Sequence, residues 1–221
     1  ALFGVGLFVA TSPFWIPHGL VGDRFERVMY LPDFPYQDGP GYMRRIDSPG
    51  PKYTLGGRFD FDWVESFDRL ENIGGHLVLS SSTRFGLDIE ARRLEEQLGH
   101  EDLDRLWLGD CNLTFRFAQS EFAAFRAGLG ANWLTDHDWT DLGFNFTYGV
   151  DFFPRRPWIF SSTIDAGTLG DAGLFRFRTT VGAAIHGVEA YTGYEYTDIG
   201  RTEWNGLIGG GLRGPGSQPR A

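Results

Sequence analysis

Residues 141–151 read DLGFNFTYGVD, and the segment alternates without a break. Leu142, Phe144, Phe146, Tyr148 and Val150 share one parity; Gly143, Asn145, Thr147, Gly149 and Asp151 share the other. Side chains along a strand repeat every two residues, so this strand has one greasy face and one small, polar face. Much of the chain after Tyr53 repeats the pattern. Which face looks outward decides the fold.

Alternation and turn residues predict about ten strands, at 53–65, 70–81, 84–94, 105–118, 121–133, 141–153, 157–168, 173–186, 188–198 and 202–213. A helix competes only over 88–98, DIEARRLEEQL, where Glu95, Glu96 and Gln97 read as a loop or short helical turn. The second, fourth, sixth and eighth connections are tight, whereas the third, EEQLGHEDL, and the fifth, LTDHDWT, are longer. Short turns at one end and longer loops at the other are the habit of membrane barrels. Three regions follow. Residues 1–52 are an apolar and then Pro/Gly-rich segment, read as a signal remnant or anchor, an interfacial segment or a plug. Residues 53–213 form the barrel, and GPGSQPRA, 214–221, is a flexible tail.

Sorting the strands by parity gives a greasy list dense in full-size aromatics and a polar list of Gly, Arg and acids. The polar list holds Arg58, Asp60, Asp62, Asp88, Glu90, Arg92, Asp110, Arg116, Arg126, Asp151, Asp165, Arg176, Arg178, Glu189 and Glu195, with Asn112 and Asn145. A soluble barrel would put the greasy list inside, but so many aromatics overfill about ten strands. Gly alternating with paired charges suits a narrow, filled lumen. We therefore expect an all-β, antiparallel up-and-down transmembrane β-barrel with its greasy face in lipid. If the first strand runs up from the periplasm, Trp63, Trp107, Trp133, Tyr196 and Trp204 gather at the external interface and Tyr53 and Trp158 at the periplasmic one, where amphipathic rings prefer to lie.

Composition narrows the rest. Acidic residues outnumber basic by 29 to 20, which argues against a nucleic-acid partner. Lys52 is the only Lys, and Cys111 the only Cys, so no intrachain disulfide forms. No metal-ligand spacing appears, and Gly209-Gly210-Gly211 follows no βαβ unit, so no cofactor is expected.

Residues 53–213 resemble small outer-membrane β-barrel proteins of diderm bacteria, in hairpins such as FRAGLGANW, LGFNFTYGVDFF and VEAYTGYEYTDIG. The resemblance is to the class. It implies the bacterial outer membrane as location, and the lipid bilayer, the barrel-assembly machinery and lipopolysaccharide as partners. The last strand departs from the class by ending GLIGGGLRG rather than on an aromatic.

The charged lumen implies either a salt-bridged plug, with a structural, anchoring or surface-interaction role for the barrel, or a narrow path for ions and small solutes. The plug is the expectation, because ten strands enclose little open cross-section. At the external rim, Asp60 and Asp62 in FDFDW with Asp136 and His137 in LTDHDWT resemble the Asp pair and Asp-His pair of omptins, outer-membrane proteases. Such groups would activate a water together if the fold brought them to one place. Ordinary rim charges explain them as well, and no enzyme is expected.

Overall fold

The computed structural model describes residues 11–23, 29–30, 44–45, 55–66, 70–81, 83–97, 103–120, 122–185 and 188–213. Tyr53, residues 1–10 and the 214–221 tail lie outside them. Two short strands, β1 (Met29–Tyr30) and β2 (Arg44–Arg45), form a ladder of their own. Ten long strands follow: β3 (Leu55–Ser66), β4 (Leu70–Ser81), β5 (Phe85–Gln97), β6 (Leu103–Gln119), β7 (Ala123–Thr135), β8 (Thr140–Arg155), β9 (Trp158–Leu169), β10 (Ala172–Ile185), β11 (Val188–Ile199) and β12 (Thr202–Arg213). Each pairs antiparallel with its sequence neighbours, and β12 returns to β3, from Gly206↔Ser66 to Arg213↔Phe59. The sheet is thus closed, and the strand-edge groups that an open sheet would leave unpaired are joined at this seam.

The greasy face is outside. On β8 Leu142 is 67% exposed and Phe144 is exposed, while Asn145 between Phe144 and Phe146 is fully buried. The same alternation holds Phe59, Phe61 and Trp63 outward on β3, with Asp60 and Asp62 inward. A belt of aromatics around a closed sheet would be an aggregation surface in water; in a bilayer it is the solvent-matched face, with the backbone of the sheet bonded between strands.

Two corrections concern β5 and its connections. Glu95, Glu96 and Gln97 continue the strand, paired with Arg105, Asp104 and Leu103. The third connection therefore shrinks to 98–102, and the contrast between long and short loops nearly vanishes. We call the end bearing 98–102 and the Asp136–Trp139 turn the loop rim, and the opposite end the turn rim.

A third correction concerns Trp204. It pairs with Thr197, which faces the interior, and is only 6% exposed. Ile208 likewise turns inward, opposite Gly193, while Leu207 faces out. The run GLIGGGL offers Gly or an aliphatic residue at both parities, so alternation gives no guide there. Trp204 is a core residue, not an interface anchor.

Among the described residues one helix, α1 (Ser12–Val21), lies against the outer wall. Phe14 packs edge-on against Phe117 and Tyr148, with ring centroids 5.2 and 6.1 Å away. Beneath it β6 carries a bulge between Arg116 and Ala118, and Ala118 is wholly buried. Pro13 sits in the first turn, where a missing N–H costs nothing. Pro17 lies inside the helix. Lacking an N–H, it leaves the carbonyl four residues back, that of Pro13, without its helical donor. The Tyr148 hydroxyl donates to that carbonyl at 2.7 Å. The gap that interrupts the helix is thus its docking point. Beyond the helix, Asp23 accepts from Arg84 Nη1 and Nη2 at 2.5 and 2.8 Å and from the Gln119 backbone N–H at 3.1 Å, tying the chain to the turn rim. Residues 11–23 therefore lie on the outer wall and at the turn rim rather than as a plug in the lumen.

Candidate functional site: a cross-linked lumen

Inward parity brings all fifteen acidic and basic side chains of the polar list into one volume, and they are buried except for Arg58 and Arg178, which are half-buried. Nine carboxylates and six guanidinium groups in a narrow tube must pair or stay wet, because each isolated buried ion costs several kcal/mol. The pairing is dense at mid-height. Arg176 donates to Asp110 at 2.5 Å, to Asp165 at 3.0 and 3.1 Å and to Glu90 at 3.4 Å, joining β10 to β5, β6 and β9 across the interior. Arg92 donates to Glu90 and to Glu195, and Arg178 to Asp62. The Tyr191 hydroxyl also donates to Asp62.

Closer to the turn rim, His76 stands between two acids, Nδ1 at 3.1 Å from Asp60 and Nε2 at 2.6 Å from Asp88. Only the imidazolium donates from both nitrogens. Arg126 donates to Asp151 at 2.6 Å, and Ser161 donates to the other oxygen of Asp151 at 2.7 Å. Arg58 is a looser partner, 3.4 Å from Asp60 and 3.5 Å from Asp151. Arg116 turns to the wall and donates to the Ser81 carbonyl. Asparagines extend the network: Asn145 donates to Asn112 at 3.0 Å, and Asn112 to Asp110 at 2.7 Å.

Above this layer the interior turns apolar. Leu94, Leu108, Leu169, Leu174 and Trp204 form a buried cluster toward the loop rim, with Leu106, Leu134 and Ile199 packed on it. Phe153 and Ile159 form a smaller patch with Ala184 at the turn rim. Between lies a cavity of ≈ 40 Å³ lined by Arg58, Asp60, Ser161, Thr180, Glu189 and Tyr191 among others. Its volume holds about three water-sized groups.

The proposed rim hydrolase residues do not meet. Asp60 and Asp62 are spent inside the barrel on His76, Arg58, Arg178 and Tyr191. Asp136 and His137 belong to the exposed β7–β8 turn, where the Asp136 carboxylate accepts from the backbone N–H of His137. Three strands separate β3 from β7 around the barrel. Among the described residues no three His, Cys, Asp or Glu side chains are placed to chelate a metal.

Of the aromatics expected at the interfaces, Trp63 and Trp107 are exposed on the outer face toward the loop rim, and Trp158 is exposed toward the turn rim. Trp133 also faces out, its indole lying across Gly109, where a Cβ would stand 2.3 Å from the ring. Tyr196 rests 6.3 Å from Phe175. Two inward features escaped the sequence sorting. His76 shares parity with Asn72 and Gly74, a usable signal. The Leu-Trp cluster carries no such signal, because leucine at inward parity looks like leucine at outward parity.

A scan against protein-family models finds no match, and no curated protein matches the sequence. Among solved structures, KdgM porin and KdgM porin in complex with disordered oligogalacturonate each align at a TM-score of 0.33, with 8% identity, over 71% of this chain and 98% of that chain. A likeness of that size carries no weight beside the chain's own geometry. That geometry defines a class. The closed antiparallel sheet, its aromatic exterior and its charged interior are those of a transmembrane β-barrel. Within the class it is a small ten-stranded barrel, with an apolar helix on its outer wall.

Proposed function

We propose that this protein is a non-conducting barrel of a bacterial outer membrane, with a structural, anchoring or surface-interaction role and no enzymatic activity. The observation that carries this reading is the filling of the lumen. Cross-barrel pairs such as Arg176 with Asp110 and Arg92 with Glu195 occupy the middle, and the Trp204 cluster lies above them. An ion on this path would have to break buried pairs and then cross an apolar layer, and hydrophobic constrictions are barriers in channels. The bilayer and the barrel-assembly machinery are the partners this role requires, and lipopolysaccharide is the one an external rim would meet. Planar-bilayer recording tests the reading. Purified protein should insert without discrete conductance steps, and reproducible ion-selective steps would replace it with the narrow-channel alternative. Fractionation of native cells, with heat-modifiable migration on gels, tests the location. Cleavage of a peptide library in the presence of lipopolysaccharide would overturn the non-enzymatic role.

A further inference from the structure

Among the described residues the lumen is not charge-balanced. Nine inward carboxylates face six inward guanidinium groups there, and counting His76 as imidazolium still leaves two carboxylates in excess. Arg84 does not correct this, being already held by Asp23. A buried excess of negative charge requires compensation, since an unpaired carboxylate in a low-dielectric interior is strongly disfavoured.

The excess has a place. Glu189 is 4% exposed and makes no hydrogen bond or ion pair among the described residues, yet its carboxylate lines the cavity. The guanidinium acting on it is Arg58, which Asp60 and Asp151 share at 3.4 and 3.5 Å. Across the same cavity Asp60 is 4% exposed, and its Oδ1 is buried with no hydrogen-bond partner among the described residues. The lining also holds the hydroxyls of Ser161, Thr180 and Tyr191, and the cations Arg176, Arg178 and His76, each already engaged by a carboxylate. Six carboxylates (Asp60, Asp88, Glu90, Asp110, Asp165 and Glu189) line the chamber against Arg58, Arg176, Arg178 and His76, so its lining is electronegative even with the imidazolium counted. Room is made for it by Gly182: a Cβ there would stand 1.9 Å from Glu189 Oε1.

The geometry points to a binding site for one small, singly charged cation between Glu189 and Asp60, held with part of its water inside the barrel. The carboxylate and hydroxyl oxygens between Glu189 and Asp60 suit a hard cation, and the cavity has room for an ion with one or two waters. A chelated divalent metal is the wrong occupant, since among the described residues no three carboxylate or imidazole groups are placed together to ligate it. The site neutralises the lumen and is a structural ion rather than a permeating one. It is independent of whether the barrel conducts, because its test reads stability and not current.

The test uses the full chain refolded in detergent micelles. Thermal unfolding is followed at fixed ionic strength and pH in sodium, potassium, ammonium or N-methylglucamine chloride. At least one small cation should raise the unfolding temperature by about 2–4 °C over N-methylglucamine, with a saturable concentration dependence. Glu189→Gln, nearly isosteric, should erase the difference between cations. Gly182→Ala, which pushes the Glu189 carboxylate from its place, should erase it independently, so the proposal does not hang on one variant folding. Equal stability of the wild type in all four salts would overturn the site and leave shared protons as the compensation. A cation dependence that survives in either folded variant would place the ion elsewhere and overturn it too.

Discussion

Phe146 and Asn145 are adjacent and face opposite solvents. Phe146→Arg puts a cation on the lipid face near mid-membrane, at a cost of about 2–4 kcal/mol, and should prevent stable assembly in lipid vesicles. Asn145→Leu removes the donor to Asn112 inside and should cost about 1–3 kcal/mol, because a buried acceptor loses its partner. Refolding yield, scored by heat-modifiable migration, ranks the two. In the lumen, Arg176→Met leaves Asp110, Asp165 and Glu90 without their shared guanidinium. Removing one partner of a buried ion cluster costs about 3–5 kcal/mol, so the urea midpoint should fall accordingly. An unchanged midpoint would mean that water already screens this pair. Every charged position named here was legible as inward from parity, because an Arg or Asp has one tolerable side. Trp204 and Ile208 were not. Their neighbours are Gly and Leu, which both faces accept.

Among the elements, the strands announced themselves and the helix did not. Alternation marks a strand wherever lipid and lumen demand different chemistry on successive residues, as from Asp141 to Asp151 in β8. It also overrode local preference at Glu95–Gln97, where pairing with β6 holds a helix-prone run extended. In α1, Pro13 occupies the first turn and Pro17 frees an acceptor for Tyr148. Only the docked structure shows what the freed carbonyl does. This makes a double-mutant cycle informative. Tyr148→Phe should destabilise the wild type by about 1 kcal/mol through the lost hydrogen bond. In a Pro17→Ala background the new N–H supplies the Pro13 carbonyl from within the helix, and Tyr148→Phe should cost much less. Additive effects would show that Pro17 does not create the docking acceptor. Limited proteolysis near residues 11–23 reports the same event, since a loosened helix is cut while the barrel stays resistant.

At the scale of the whole molecule, closure and strand number follow from counting hairpins, whereas the way the interior is sealed does not. The Leu94, Leu108 and Trp204 cluster assembles side chains from strands distant in sequence, and its members are apolar residues in a chain full of apolar residues. Trp204 is therefore the probe that separates the inside of this barrel from its outside. Single-Trp variants should fall into two groups. Trp63, Trp107 and Trp158 are each about half exposed on the outer wall, so lipids brominated near the headgroup should quench them strongly and lipids brominated deep in the tail weakly. Trp204 faces the lumen, so the barrel wall stands between it and any acyl chain, and neither lipid should quench it well. Aqueous iodide should also fail to reach it, because the leucines around it exclude water. Strong bromolipid quenching of Trp204 would mean that β12 is slipped by one residue, since a one-residue shift turns every side chain of a strand to the other face. Such a slip would carry Ile208 outward with it and open the seam at β3, so the same variant would unfold early. A quenched Trp204 in a stable barrel is the result this architecture does not allow.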